Sequence, residues 1–293
     1  MPTPREVFDK LSEGVTSGDW SELSALYAED TVVEHPQRPP APTRVVGRAT
    51  VHEQFTRGLV SQLRLRRKNV LIHETTDPEL IVAEYDYSGE ALATGKTFEA
   101  ANIQVLRVRD GLIQWSRDYH DYLRIAAARD GLEELADGAE KAEITVEPLP
   151  ERPVSTADPK SPRGVFERLV YGVSDGKWDE LADLYAEETH VTHPFLPGAP
   201  ALKSRQDLRE HFAQVSRSAT KIQARDLVIY QSTDPEVVIG EFVYQGESVR
   251  PYRVSNIFVM RVRDGLIVES RDYGDYVALA AAGGWLRDLI KRL

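Results

Sequence analysis

The sequence predicts an α+β protein that consists of two similar halves. Residues 102–122, NIQVLRVRDGLIQWSRDYHDY, recur at 256–276 as NIFVMRVRDGLIVESRDYGDY, with 16 identities in 21 positions. Residues 7–36 recur at 165–194 with 17 identities in 30 positions, so the duplication covers the whole of each half. Within each copy, segments with helical periodicity come first and alternating segments follow, which is the α+β pattern.

The helices are predicted at the start of each copy. Residues 3–6, Thr-Pro-Arg-Glu, form a capping box with proline at the first helical position, and Ser161-Pro162 begins the second copy in the same way. A short second helix is expected around Trp20. A third helix is predicted over residues 48–59, with its counterpart over residues 205–215.

Four strands are predicted to follow as an antiparallel meander, at residues 63–74, 80–89, 97–109 and 112–122 of the first copy. Asp110-Gly111, between the last two strands, is a strong hairpin signal. Because successive side chains of a strand point to opposite faces, the alternation defines two polar sets. These are Asn102, Gln104 and Leu106 on the third strand, and Gln114, Ser116, Asp118 and His120 on the fourth.

The domain boundaries follow from the repeat. Residues 136–160 contain several prolines among acidic and small residues, show no apolar stripe, and are predicted to be a linker. The two domains are therefore predicted at residues 1–135 and 161–293. Residues 285–293 are predicted to form a last helix that docks as a cap and has no counterpart in the first copy.

Charge and composition disfavour several classes of protein. A net charge of -11 opposes binding to nucleic-acid phosphates, and the basic run at residues 64–68 is interpreted as the solvated face of an edge strand. The chain has no cysteine, and His190-x-x-His193 has no paired carboxylate nearby in sequence, so no metal is expected. No apolar run approaches the roughly 20 residues of a membrane span. The expectation is a soluble, cytoplasmic protein with neither a nucleic-acid nor a membrane partner.

A series of motifs resembles the nuclear transport factor 2-like superfamily and, within it, the SnoaL-like group. The motifs are a helix, Gly-Asp, Trp-x-x-Leu-x-x-Leu-Tyr-Ala-Glu-Asp, a strand ending in Val-Glu-His-Pro, a third helix, and a meander that closes on Arg-Asp-Tyr-x-Asp. Both halves resemble this group over nearly their full length. The resemblance implies two tandem cone-shaped domains, in which three N-terminal helices pack on a curved antiparallel sheet and enclose a pocket. Since such domains commonly dimerise through their sheets, the halves are expected to form an intramolecular pseudo-dimer, with Val105, Arg107, Val259 and Arg261 losing accessible surface at the contact.

The resemblance to ketosteroid isomerase does not extend to its catalytic residues. The aspartate that serves as general base there is replaced by His35 in the first copy and by His193 in the second. A dienolate could not be held as that enzyme holds it, so steroid isomerisation is disfavoured. The residues at the two oxyanion-hole positions are Leu11 and Gln104 in the first copy, and Leu169 and Phe258 in the second.

The resemblance to limonene epoxide hydrolase is also incomplete. Its last strand is resembled by residues 115–119 and 271–273, which implies that Asp118 and Asp272 face the pocket. The other Arg-x-Asp pair of that enzyme is absent from the neighbouring strand, so its full water-activating set is not reproduced.

The candidate catalytic residues are therefore a histidine and an aspartate in each copy, His35 with Asp118 and His193 with Asp272. An imidazole oriented by a carboxylate can act as a general base near neutral pH. The alternative is that His35 caps its loop and Asp118 pairs with Arg117 or a helix donor. Further residues on the same faces are candidates for binding the substrate, although the aromatic ones also suit a core position: Tyr85, Tyr87, Asn102, Gln104 and His120 in the first copy, and Phe242, Tyr244, Asn256 and Phe258 in the second.

The sequence thus favours a SnoaL-like enzyme that uses acid-base chemistry without a cofactor. As a cyclase, isomerase or hydrolase it would act on an apolar, polyketide-like or epoxide small molecule held in the cone. The alternative is a non-catalytic ligand-binding or structural pseudo-dimer, and further homo-oligomerisation is left open. The His35 ring is expected within about 3–5 Å of the Asp118 carboxylate. His193 and Asp272 are expected in a similar arrangement around a smaller, more apolar cavity lined by Phe242 and Phe258.

Overall fold

The computed structural model describes residues 1–18, 20–218 and 221–293. Asp19, the acidic residue of the Gly-Asp motif, lies outside these ranges. The chain divides into two compact units, Met1–Gly138 and Ala139–Arg292. Within the described ranges, no helix is long and apolar enough to cross a membrane.

Each domain is an α+β unit with a six-stranded sheet. The helices of the first domain are α1 (Pro4–Ser17), α2 (Trp20–Leu23), α3 (Arg48–Arg57), α4 (Tyr122–Ala128) and α5 (Leu132–Lys141). Its strands are β1 (Tyr27–His35), β2 (Thr43–Val46), β3 (Leu63–Glu74), β4 (Leu80–Ala91), β5 (Thr97–Arg109) and β6 (Leu112–His120).

The second domain repeats this order of elements. Its helices are α6 (Pro162–Ser174), α7 (Trp178–Leu181), α8 (Arg205–Ser218), α9 (Tyr276–Gly283) and α10 (Leu286–Ile290). Its strands are β7 (Tyr185–Thr192), β8 (Leu202–Ser204), β9 (Lys221–Gln231), β10 (Val237–Glu247), β11 (Pro251–Arg263) and β12 (Leu266–Gly274).

The sheet is mixed rather than antiparallel, which corrects the prediction. The strand order is β2-β1-β6-β5-β4-β3, and β3 to β6 form the predicted antiparallel meander. However, β1 pairs with β6 in parallel, and β7 pairs with β12 in the same way. Alternation within a strand defines its faces but not its neighbour, so the sequence pattern could not show this pairing.

The first helix forms as the sequence predicts and closes the core. The Thr3 side chain accepts a hydrogen bond from the Glu6 backbone N–H, and the Glu6 carboxylate accepts one from the Thr3 backbone N–H. Val7, Phe8 and Leu11 are buried in the core cluster that also contains residues of β3 to β6. The apolar face of α1 therefore covers the concave face of the sheet.

A β-bulge changes the face assignment on β6. Asp110 and Gly111 both have positive φ, 54° and 77°, as a type I′ hairpin requires. The register then moves from Val108 opposite Ile113 to Arg107 opposite Trp115, which leaves one extra residue on β6. The extra residue shifts the alternation, so buried Ile113 continues the concave face and Gln114 does not. The prediction for Gln114 was wrong for this reason.

Two helices follow the last strand of each domain, and the sequence analysis missed most of them. The side chains of Asp121 and Asp275 cap α4 and α9 by accepting hydrogen bonds from the backbone N–H of Arg124 and Ala278. Helix α5 continues to Lys141, past the predicted start of the linker at residue 136. It follows α4 as α10 follows α9, so the last helix does have a counterpart, contrary to the prediction.

Gly240 gives a test of the close packing of α6 against the sheet. A Cβ atom on Gly240 would lie 2.3–3.0 Å from atoms of the Phe166 ring. We expect Gly240→Ala to lower the free energy of unfolding of the second domain by about 1–3 kcal/mol, because the ring must move in a filled core. Urea denaturation would measure the change. Gly131→Ala, whose Cβ would meet only the Ala126 carbonyl at 3.7 Å, is the control, and an equal loss in both variants would contradict the packing argument.

Candidate functional site

A cavity of about 230 Å³ lies between the concave face of the first sheet and helices α1 and α3. Its apolar walls come from side chains such as Leu11, Val15 and Val33. Its polar and titratable lining residues come from both ends of the sheet: His35, Arg38, Arg67, Tyr85, Tyr87, Gln104, Asp118, His120 and Tyr122.

His35 and Asp118 meet at one end of this cavity because of the β1–β6 pairing. Glu34 lies opposite Arg117 in the parallel register, so the next residue of each strand lies at the same end of the sheet. One ligand atom each of His35, Asp118 and His120 lie within 4.8 Å of one another. This distance falls in the range expected from the sequence.

Asp118 is a buried carboxylate that is held by an amide. Gln104 Nε2 donates a hydrogen bond of 2.8 Å to Asp118 Oδ1 from the adjacent position on β5. Burial raises the pKa of Asp118, while the charge of His35 and hydrogen bonds from Gln104 and Ser116 act in the opposite direction. Arg117 is not its partner, since its Nε donates to Glu34 Oε2 at 2.7 Å.

His35 is kept largely neutral by its surroundings. Burial lowers the pKa of His35, the Asp118 carboxylate raises it, and the positive charge of Arg38 lowers it again. Its Nδ1 atom is buried and has no hydrogen-bond partner among the described residues. The loop turn after β1 is closed by the His35 backbone carbonyl, which accepts from the Arg38 N–H, so the ring is not needed to cap the loop.

The tautomer of His120 follows from its hydrogen bonds. Asn102 Nδ2 donates to the Ala100 carbonyl, which turns Asn102 Oδ1 towards His120 Nδ1 at 2.7 Å. Because that oxygen can only accept, the proton lies on Nδ1 and the lone pair on Nε2. Burial, followed by the charges of His35 and Arg38, lowers the pKa of His120 to about 3.

Tyr85 and Tyr87 form an edge-to-face pair with ring centroids 5.2 Å apart. Burial raises the pKa of both, and the two phenols also influence each other's pKa. Both phenols therefore stay protonated, and the proton of Tyr87 remains available to a ligand.

Arg67 also lines the cavity, which the sequence analysis missed. The basic run was interpreted as a solvated face, and Arg64 and Arg66 are exposed, but the side chain of Arg67 is only 9% exposed. The alternation Leu63-x-Leu65-x-Arg67 was the available signal, because it places Arg67 on the buried face.

The second domain has a larger cavity than the first, contrary to the prediction. Its volume is about 1010 Å³, and its lining includes Tyr244, Asn256 and Phe258. Phe242 does not line it, since its ring is buried in the core at 6.0 Å from Phe166. Gly274 stands where the first domain has His120, which is one reason for the additional space.

His193 and Asp272 line this cavity but carry different interactions from the first pair. The nearest ring to His193 is that of His211, at 5.6 Å between centroids, and burial followed by the charge of His211 lowers the pKa of His193 to about 4. Burial raises the pKa of Asp272 to about 7, and its carboxylate accepts a hydrogen bond from Ser270. Each domain thus has a second imidazole near its histidine, and in the first domain His35 also lies beside a carboxylate.

His35, Asp118 and His120 are the one group of three donors in the described parts of the chain that could surround a metal ion. Two neutral imidazoles and a carboxylate are a suitable donor set for a divalent transition metal. The positive charge of Arg38 acts on both imidazoles and opposes a dication there. His190 is exposed and does not join His193 in such a group.

Each domain is an α+β unit with a cavity that its sheet lines. The chain belongs to the SnoaL-like domain family, whose sequence profile matches residues 8–116 and again residues 166–270. An uncharacterized PhzA/B-like protein of Pseudomonas aeruginosa is 35% identical over 121 residues, which cover 41% of this chain and 85% of the relative. An uncharacterized protein of Bacillus subtilis is 26% identical over 128 residues, covering 43% and 86%.

Three solved structures of similar proteins each cover less than half of this chain. A Bacillus subtilis protein provisionally named an isomerase is 25% identical, with a TM-score of 0.41, and covers 44% of this chain and 93% of its own. A Xanthomonas campestris protein provisionally named a polyketide cyclase is 23% identical, with a TM-score of 0.36, and covers 40% and 88%. A Mycobacterium tuberculosis protein in complex with estradiol-17beta-hemisuccinate is 22% identical, with a TM-score of 0.36, and covers 40% and 93%.

The pKa of Asp272 gives a pH-dependent test of stability. Its folded pKa of about 7 lies above the value of about 3.9 in an unfolded chain, so the folded state favours the protonated carboxyl. The stability that this provides is complete below pH 3.9 and is lost as the pH rises through 7. We expect Asp272→Asn, which mimics the protonated form, to match the wild type at pH 4 and to be more stable by about 2–4 kcal/mol at pH 8.

Urea denaturation at the two pH values would measure this difference. Asp264→Asn, at the exposed hairpin turn, is the control and should have the same small effect at both. A loss of stability in Asp272→Asn at pH 8 would show that the ionised carboxylate does not destabilise the folded state.

Proposed function

We propose that the first domain is a cofactor-independent acid-base catalyst for an apolar, carbonyl-bearing small molecule, with His35 as the general base. The single observation that carries this proposal is the pair of half-buried His35 and buried Asp118, whose nitrogen and oxygen atoms lie within 4.8 Å of each other in a cavity. A neutral imidazole can take a proton from a carbon acid next to a carbonyl group. Membership of the SnoaL-like family supports a small-molecule reaction in this cavity.

Asp118 acts on His35 through its charge. When His35 accepts a proton, the imidazolium lies next to a carboxylate in a region of low polarity, where the attraction is strong. Gln104 donates to Asp118 Oδ1, and one carboxylate oxygen of Asp118 lies within 4.8 Å of a ring nitrogen of His35. Asp118 is therefore assigned as the residue that orients the base and stabilises its charged form.

Tyr87 is the best placed donor for the oxygen that becomes negative as the proton leaves. Asn102 and Gln104 were expected to bind the substrate, but their amide nitrogens already donate to the Ala100 carbonyl and to Asp118. Tyr87 lines the cavity, and because burial raises its pKa the hydroxyl keeps a proton that it can donate to a substrate oxygen. Donors aimed at a developing oxyanion commonly contribute about 10²–10³ to the rate.

For the second domain we propose ligand binding without catalysis. Its cavity of about 1010 Å³ is large enough for a substantial ligand, but the charged neighbour of its histidine is a second histidine. Burial and the charge of His211 both lower the pKa of His193, so both disfavour its imidazolium form. This is the alternative function from the sequence analysis, now assigned to one half of the chain.

Proton abstraction can be tested before the natural substrate is known. We expect the wild-type protein to catalyse exchange of the α-protons of 2-tetralone, a bicyclic ketone, for deuterium in D₂O, followed by NMR. Removal of the base in His35→Ala, or of its charged partner in Asp118→Asn, should lower kcat/KM about 10²–10⁴-fold. Styrene oxide, followed by diol formation, tests the epoxide alternative with the same variants.

The second domain supplies matched controls for this experiment. His193→Ala and Asp272→Asn remove the corresponding residues and should leave the exchange rate within about twofold of the wild type, since catalysis is assigned to the first domain. Equal losses from both pairs would refute the division of roles between the domains. If neither pair affects a measured rate, the His35–Asp118 mechanism is wrong.

The pH dependence of the exchange tests the state of His35. Because its pKa is lowered, the basic form persists below the ordinary value of about 6.5, and kcat/KM should fall only at lower pH. Asp118→Asn removes the carboxylate that raises the His35 pKa, so the residual activity should fall at a still lower pH. A fall centred at or above pH 6.5 in the wild type would contradict this assignment.

A further inference from the structure

Arg67 is a buried cation at the opposite end of the cavity from the His35–Asp118 pair. It lies on β3 opposite Tyr87 of β4, whereas Asp118 lies on β6. Three strand spacings separate β3 from β6, which amounts to about 14 Å along the sheet. A ligand that contacts the catalytic pair can therefore extend towards the guanidinium of Arg67.

The guanidinium is poorly neutralised for a group that is only 9% exposed. Among the described residues, its contacts are the face of Phe8 at 4.1 Å, the face of Tyr85 at 5.4 Å, and an Asp9 oxygen at the long distance of 3.9 Å. Burial lowers the pKa of Arg67, which reflects this loss of hydration. A buried charge is normally paired with an opposite charge. An anionic group of a ligand in the cavity would therefore stabilise the guanidinium.

The second domain shows that the fold does not require this cation. Tyr244 occupies the position of Tyr87, and its partner on β9 is Ala224. The nearby Arg225 has a side chain that is equally buried, at 10% exposed, but it contacts Glu147 and Asp226 at 2.9 Å each and does not line the cavity. Arg67 is therefore specific to the cavity that contains the catalytic pair.

We propose that Arg67 binds a carboxylate of the substrate, so that the first domain acts on an aromatic or alicyclic keto acid rather than on a neutral ketone. This inference rests on the proposed function for the carbonyl group and adds the anionic end. A carboxylate matches the planar fork of a guanidinium in a bidentate geometry. A dianion such as a phosphate monoester is disfavoured, because Asp9 and Glu13 act on Arg67 from the same side.

The size of the cavity agrees with a small acid. Its volume of about 230 Å³ lies just below the range of about 300–1,000 Å³ that is usual for drug-sized ligands. One or two rings with a carboxylate fit this space better than a steroid or a long polyketide. The rings would lie against Tyr85 and Tyr87, between the two charged ends.

The test compares a charged probe with its neutral isostere, 2-naphthoate with 2-naphthamide, on the full-length protein. Binding is followed in the first cavity by NMR of ¹³C-labelled tyrosine rings, with Tyr85 and Tyr87 assigned from their Phe variants. We expect the wild type to bind 2-naphthoate at least tenfold more tightly than 2-naphthamide. Arg67→Gln should lose about 10–100-fold in affinity for the acid and change little for the amide.

Two arginine variants serve as controls. Arg225→Gln removes an equally buried guanidinium outside the cavity and should keep the preference for the acid. Arg38→Gln removes the other lining arginine, and a loss of the preference there instead of in Arg67→Gln would overturn the assignment. Equal affinity of the wild type for the two probes would overturn it as well, and this outcome does not depend on whether Arg67→Gln folds.

The result is independent of the proposed reaction. His35→Ala should still bind 2-naphthoate with the wild-type preference, even though it should lose proton exchange. If the preference is present and exchange is absent in the wild type, the anion site stands and the catalytic proposal falls. If exchange is present without the preference, the catalytic proposal stands and the carboxylate assignment falls.

Discussion

The parallel pairing of β1 with β6 is the constraint on which the candidate site depends. Glu34 lies opposite Arg117, and this register brings His35 to the same end of the cavity as Asp118. Parallel strands cannot be joined by a tight turn and need a long connection. Here the connection consists of β2, α3 and the antiparallel strands β3 to β5. The segment between β1 and β6 thus forms most of the domain and also brings the two ends of the site together. Both catalytic candidates lie on strands of the sheet rather than on a loop.

The duplication shows how one backbone can hold two different chemistries. Both domains share the strand order, the bulge near the hairpin, the two positive-φ turn residues and the aspartate cap of the helix after the last strand. Some of the differences lie among the side chains on the concave face. His120 of the first domain corresponds to Gly274, and Arg67 corresponds to Ala224. These changes remove one imidazole and one guanidinium from the cavity wall, and the second cavity is the larger of the two.

Sequence reasoning predicted the α+β class, the duplication, the meander and the meeting of His35 with Asp118, because periodicity and turn residues report local structure. It failed where the outcome depended on a partner elsewhere in the chain. The bulge on β6 shifted Gln114 off the concave face by inserting one residue, which no alternation pattern displays. Helix α5 was taken for linker because its buried side chains include small residues such as Ala136 and Ala139, which form a weak apolar stripe. Arg67 was predicted to be exposed because it belongs to a run of basic residues. Its alternation with Leu63 and Leu65, which indicates the buried face, was given less importance than its charge.

Both domains have a histidine and an aspartate in the cavity. The two domains differ in how burial and neighbouring charges shift the pKa values of these residues. Burial alone lowers the pKa of a histidine and raises that of an aspartate, so each group is driven to its neutral form. In the first domain the mutual attraction of His35 and Asp118 opposes both shifts, which brings the neutral pair and the ion pair closer in free energy. A base needs this property, because it must gain a charge during the reaction without a large penalty in free energy.

In the second domain, burial lowers the pKa of His193 and raises that of Asp272, and neither group offsets the pKa shift of the other. Both groups are therefore neutral between about pH 4 and pH 7. The attraction between the charged forms of the two groups, which acts in the first domain, therefore separates a site suited to proton transfer from one suited to binding.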